Sequence, residues 1–188
     1  MNKTQTGFTL IELLITLAVG AILLSQAVPS FLQMTQNNRI ITQTNDFVTS
    51  LNMARSEAIT RGNRVTVCKS ADNATCIAGG GWHQGWIIFT DTNNDAAVNN
   101  TDVILRVYGP LAAGNTLNGV NGNVANFISY TSNGFSELVG GGVQTGTLVL
   151  CDNRGLVATA RAIVLNASGR LRTAPANDPT VIGTATSC

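Results

Sequence analysis

Charge is scarce in this chain. Asp, Glu, Lys and Arg make up 11% of its 188 residues, and the formal net charge is +1. A nearly neutral protein has no global field to gather nucleic acid or acidic substrates, so any contact with a polyanion must come from a local cluster. Lysine is almost absent beyond the amino terminus, so such a cluster has to be built from arginine. Histidine is nearly missing too. A lone His83, with no evident activated nucleophile, makes no triad, and with no Cys-x-x-Cys pair it leaves little for zinc. No acid, base or nucleophile constellation stands out, so the expectation is a protein that is not an enzyme and needs no cofactor. Neither an internal repeat nor an interdomain linker is visible, and 19.6 kDa suffices for one core-bearing head plus an anchor.

The most distinctive feature present is an apolar run from Phe8 to Val28, long enough to cross a bilayer as a helix, with Lys3 on the side expected to stay cytoplasmic. Glu12 interrupts it almost at the start. An ionised acid in hydrocarbon costs about 2.5 to 3.5 kcal/mol on insertion scales, so it calls for a partner or a function. The nearest partner is a new amino terminus. Beyond the membrane Pro29 is expected to kink or loosen the helix by removing a donor. The helical pattern then resumes: Ile40, Phe47, Leu51, Ala54 and Ala58 form one apolar stripe, and Gly62 is a plausible carboxy-terminal cap. A helix from Phe8 to about Arg61 would extend roughly 80 Å at 1.5 Å per residue, its first half in lipid and its second half packed on the head.

After Gly62 the periodicity shifts to that of strands. Candidates are 64–68, 85–90, 103–108, 126–131, 146–151 and 160–166, with Gly- and Asn-rich turns between them. The stretch from Gly109 to Gly142 is glycine-rich, with three consecutive glycines at its end, and is expected to contain mobile loops. The fold expected is α+β, a long amino-terminal helix packed on a mainly antiparallel sheet head. All four cysteines lie outside the apolar run, and an even number in an exported context reads as two disulfides. Three pairings are possible. Cys68 with Cys76 is preferred because it closes a short loop, and Cys151 with Cys188 because it ties down the carboxy terminus. Asp91, Asn93 and Asp95 begin like a calcium loop, but Ala96 stands where a Gly is needed and Asp102 where a bidentate Glu is needed, so a polar turn is expected.

The run Gly7-Phe8-Thr9-Leu10-Ile11-Glu12-Leu13 closely resembles the leader of type IV prepilins and type II secretion pseudopilins. The resemblance implies a pilin fold and three segments: a leader over 1–7, a transmembrane and assembly helix over 8–29, and an exported head over 30–188. It also implies that a prepilin peptidase cuts between Gly7 and Phe8 and methylates the new Phe8 amine. Glu12 would then serve assembly with other pilins, after a stage as a single-pass inner-membrane protein with a periplasmic head. In order along the chain, Ala54-Arg55-Ser56-Glu57-Ala58, Gly85-Trp86-Ile87-Ile88-Phe89 with Asp91-Thr92-Asn93-Asn94-Asp95 after it, and Tyr130-Thr131-Ser132-Asn133-Gly134 resemble the minor pilin and pseudopilin group that joins FimT with the type II secretion protein GspH.

Near the carboxy terminus Gly169-Arg170-Leu171-Arg172 follows the strand candidate and leads into a tail containing Pro175 and Pro179. If extended, Arg170 and Arg172 project from one face about 6.6 Å apart, near the roughly 6.8 Å rise of two phosphate steps along one DNA strand. Guanidinium forks hold phosphate oxygens without sequence preference, and Gly169 allows close backbone approach. This pattern is similar to the GRxR motif of DNA-binding FimT-type pilins, which implies capture of extracellular DNA for uptake in natural transformation. Arg154 and Arg161 are candidates to widen the patch. The alternative is a type II secretion pseudopilin with a structural, tip-assembly role and no contact with DNA.

Overall fold

The computed structural model describes residues 7–120, 122–182 and 188. Of the leader expected over 1–7, all but Gly7 lies outside the described residues. The chain divides into two compact units, 1–38 and 39–188, with the helix α1 (Leu10–Arg61) belonging to both.

In the first unit α1 exposes the large apolar side chains Leu10, Ile11, Leu14, Leu17 and Ile22, Phe8 just before it is exposed too, and the apolar span is nowhere buried within the protein. That is the surface expected of a helix whose solvent is lipid. Helical assignment continues through Pro29, so the expected loosening does not break the element. Thr9 and Glu12 reveal a device that the sequence reading passed over. Thr-x-x-Glu is a capping box, and here the Thr9 amide donates to Glu12 Oε2 at 3.4 Å while the Glu12 amide donates to Thr9 Oγ1 at 3.3 Å.

In the second unit the last part of α1 buries Ile40, Gln43, Thr44, Phe47, Ser50, Leu51, Ala54 and Ala58, a stripe at spacings of three and four. Gly62 ends it at φ +67°, a left-handed conformation that costs a glycine little. Among the described residues eight strands follow: β1 (Val65–Lys69), β2 (Trp86–Thr90), β3 (Ile104–Tyr108), β4 (Thr116–Gly119), β5 (Phe127–Tyr130), β6 (Gly146–Cys151), β7 (Arg161–Leu165) and β8 (Leu171–Pro175), then a short helix α2 (Pro179–Ile182). They make two four-stranded antiparallel sheets, ordered β3-β2-β1-β5 and β4-β6-β7-β8.

Two strands depart from expectation. β4 lies inside the Gly109 to Gly142 stretch, where its Thr-Leu-Asn-Gly composition carries no strand signal. β8 is formed by the tail itself, which folds back on β7 as the outer strand of its sheet, with Pro175 at its last position. An edge is where a sheet tolerates a residue lacking an N–H.

The core fills the space between the 40–58 stripe and both sheets. Phe47 meets Trp82 and Trp86 edge-on, with ring centroids 5.3 and 5.0 Å apart. Both indoles are buried and satisfied: Trp82 Nε1 donates to the Val124 carbonyl at 3.0 Å and Trp86 Nε1 to Ser50 Oγ at 2.9 Å. The tryptophans flanking His83 are therefore structural. Cys68 is joined to Cys76 and Cys151 to Cys188, with Cα atoms 5.6 and 6.0 Å apart. The acidic turn after β2 is satisfied by its own chain. Asp91 accepts the Asp95 and Ala96 amides, and Asp102 accepts those of Thr92 and Asn99, so these oxygens are committed.

Candidate nucleic-acid interface

The connection between β7 and β8 presents the arginines. Leu165 lies opposite Leu171 and Val164 opposite Arg172, leaving Asn166 to Arg170 as the turn. The Gly169 amide donates to the Asn166 carbonyl at 3.0 Å and the Asn166 amide to the Arg170 carbonyl at 3.1 Å. With Gly169 at φ +73°, this is a three-residue hairpin loop ending in a left-handed residue. The Asn166 side chain locks it from within. Its Oδ1 accepts the Ser168 amide at 3.1 Å, the Ser168 hydroxyl at 2.8 Å and the Arg170 amide at 3.0 Å.

Three further contacts fix the turn from outside. Arg55, far away in sequence on α1, donates Nε to the Gly134 carbonyl at 2.8 Å and Nη2 to the Ser168 carbonyl at 3.3 Å. Ser136 Oγ bonds the Gln144 carbonyl at 2.7 Å and the Asn166 carbonyl at 3.2 Å. Gly169 itself is buried against the 131–136 turn, where an added Cβ would lie under 3.0 Å from the Gly134 carbonyl oxygen. The close approach that Gly169 permits is thus made to this protein's own backbone.

Arg170 and Arg172 are both exposed, and among the described residues no carboxylate comes within 4.0 Å of either. Strand alternation puts Arg172 on the Val164 side of the sheet, opposite Leu171, with Arg170 one step before Leu171 at the mouth of the turn. Three other arginines are committed, Arg61 to Glu57, Arg64 to Glu137 and Arg154 to Asp152, the last through both carboxylate oxygens, whereas Arg39 on α1 and Arg106 on β3 are exposed and, among the described residues, have no carboxylate within 4.0 Å. Asp178 senses Arg172 from a distance. The Asp178 carboxyl is held below its usual range by the Thr180 hydroxyl and amide and, more weakly, by the positive charge of Arg172.

The structure does not bring Arg154 and Arg161 to this turn. Arg161 pairs with Pro175 at the far end of β7, on the Ile163 and Leu165 side, and borders a small cavity with Ile41, Thr44 and Asn45. Arg154 follows β6 at that same far end, since Leu150 faces Arg161. Sequence reasoning missed Arg55, whose partners are 79 and 113 residues away, and Asn166, whose Asn-x-Ser-Gly spacing is a recognisable turn signal.

Residues 43–169 match the family of the type II transport protein GspH, and residues 2–25 match the prokaryotic amino-terminal methylation motif. Two crystal structures of the type IV minor pilin FimU of Pseudomonas aeruginosa share the fold. One is 19% identical with a TM-score of 0.58, covering 77% of this chain and 95% of that one. The second is 18% identical with a TM-score of 0.53, covering 71% and 91%. The minor pseudopilin EpsH from the type 2 secretion system of Vibrio cholerae aligns at 14% identity and a TM-score of 0.48, covering 74% and 99%. No curated protein matches the sequence.

Proposed function

The chain belongs to the GspH family and is a minor pilin or pseudopilin anchored by its amino-terminal helix; from that premise we propose that its head binds DNA without sequence preference through the arginine hairpin. Arg170 and Arg172 grip phosphates, Gly169 shapes the turn that carries them, and Arg55 braces it. In this reading the protein is inserted in the inner membrane with a periplasmic head. The prepilin peptidase cuts it between Gly7 and Phe8 and methylates Phe8. The subunit then joins a type IV filament through Glu12, where it captures extracellular DNA for uptake in natural transformation. Its role is binding and assembly, with no cofactor and no catalysis.

The observation that carries this reading is that two exposed arginines without a carboxylate partner stand two positions apart on one braced turn. A guanidinium already bridged to a carboxylate gains little by moving to phosphate, whereas an exposed, unpaired one releases counterions from DNA without surrendering a partner. Arg170 and Arg172 are in the second condition, on a turn held rigid by Arg55, Ser136 and Asn166. Preorganisation of this kind lowers the ordering cost of each contact.

The family description, a type II transport protein, keeps a second reading in play, in which the head makes only protein contacts within a secretion pseudopilus. A salt titration of DNA binding separates the two. The DNA reading requires affinity that falls as salt rises and that depends on Arg170 and Arg172, and a head with no measurable affinity for DNA leaves the secretion role.

A further inference from the structure

Beside the arginine turn lies an apolar surface that phosphate contacts do not use. Phe135 is 53% exposed and Val143 58% exposed, and together with Ser136, Glu137, Gly142 and Ala167 they line a depression of about 320 Å3. An exposed phenylalanine ring costs solvation free energy, and its position is not accidental to the turn. The Phe135 carbonyl accepts the Thr131 amide at 3.0 Å and the Thr131 hydroxyl at 3.2 Å, which closes the 131–135 turn. The preceding residue, Gly134, is the one that packs on Gly169 and accepts from Arg55. One wall of the depression, Ala167, is part of the arginine hairpin itself.

The distance between the two features is bounded by covalent geometry. Ala167 and Arg170 are three peptide steps apart, at most about 11 Å between Cα atoms at 3.8 Å per step, and the Gly169 to Asn166 hydrogen bond makes the separation shorter. The charge at the depression is compatible with a polyanion. Its one acid, Glu137, is engaged by Arg64, whose Nη2 lies 2.6 Å from Glu137 Oε1. The polar side chain of Ser136 is spent on the Gln144 and Asn166 carbonyls, so little is left to read a base edge.

We propose that Phe135 is a stacking platform for an unpaired nucleobase, with Val143 and Ala167 as the walls of the base site and Arg170 holding the adjoining phosphate. The inference rests on the DNA-binding reading above and deepens it. Aromatic faces beside a cationic track are how proteins hold single strands, and every base has a π-face, so the site is tolerant of sequence. In a duplex the base faces are stacked on each other, so none is free to lie on the ring. The pilin therefore prefers single-stranded DNA, or the frayed end of a duplex, to a closed duplex.

The full chain in nanodiscs of zwitterionic lipid is titrated with three fluorescent probes of equal length: an oligothymidylate, the same strand with abasic sites, and a duplex closed at both ends by non-nucleotide linkers. Wild type is expected to bind the oligothymidylate more tightly than either of the others. Phe135→Ala should weaken the oligothymidylate by about five- to a hundredfold, the range provided by one stacked base, and leave the abasic strand and the duplex unchanged. Phe135→Trp should keep or increase the preference. Arg170→Gln with Arg172→Gln should weaken all three. If Phe135→Ala leaves all three affinities as they are, or lowers them equally, or changes only self-association, the stacking site is refuted while DNA binding stands. If wild type binds none of the probes, the DNA reading itself fails and the stacking site with it.

Discussion

Replacing Gly169 by alanine separates the architecture of the GRxR segment from its charge. Two costs are expected. The first is conformational: φ is +73°, and holding an L-residue there costs roughly 1 to 2 kcal/mol. The second is steric, because the new methyl would lie under 3.0 Å from the Gly134 carbonyl oxygen and within 3.2 Å of Ser136 N and a Tyr130 ring carbon. Two of these atoms are backbone in a turn braced by Arg55 and Ser136, so the strain cannot be relieved by turning a side chain. Overpacking of this kind adds about 1 to 3 kcal/mol, for a total of roughly 2 to 5 kcal/mol. Gly155 is the internal control, with a similar φ of +79° but nothing within 4 Å of an added methyl, so Gly155→Ala should show only the conformational part. Denaturant unfolding of the disulfide-intact protein can be followed by the fluorescence of the buried Trp82 and Trp86. If Gly169→Ala is no more destabilising than Gly155→Ala, the turn is not packed as described and the brace argument is wrong.

Other outcomes follow from the same contacts. Arg55→Leu leaves the Gly134 and Ser168 carbonyls without their donor and should destabilise the head by about 1 to 3 kcal/mol; it should also weaken DNA binding while leaving the salt slope intact, because no phosphate contact is removed. Cys151→Ser with Cys188→Ser opens a closure of 37 residues and should cost about 3 to 4 kcal/mol in the chain-entropy picture, measured against the oxidised parent. Asp178→Asn removes a carboxylate that feels the charge of Arg172 and should strengthen DNA binding modestly at low salt, an effect that vanishes as salt rises. A weakening by Asp178→Asn would mean that the acid positions Arg172 instead of competing for it.

The anchor and the α1 stripe were legible because both follow from a single period: a continuous apolar run reads as a span, and spacings of three and four read as a buried face. The central strands were legible for the same reason, since β1, β2, β6 and β7 are rich in buried Val, Ile and Leu. β8 was not, because it contains two polar residues and a proline and owes its conformation to the partner strand β7 and not to its own pattern. At the site, the arginines and the glycine were visible as letters but their division of labour was not. That Gly169 serves the fold depends on Gly134, and that Arg170 and Arg172 stay free depends on where Glu57, Glu137 and Asp152 find other arginines. Arg55 was one polar residue among several on a helix, and its role exists only because the chain returns twice to the same place.

The salt dependence of DNA affinity bears most directly on whether this pilin is a DNA receptor. For the full chain in nanodiscs, log K against log salt should be linear, and Arg170→Gln with Arg172→Gln should reduce the slope by up to about 1.8, at roughly 0.9 per phosphate contact. An unchanged slope and affinity in a correctly folded double variant would contradict the assignment.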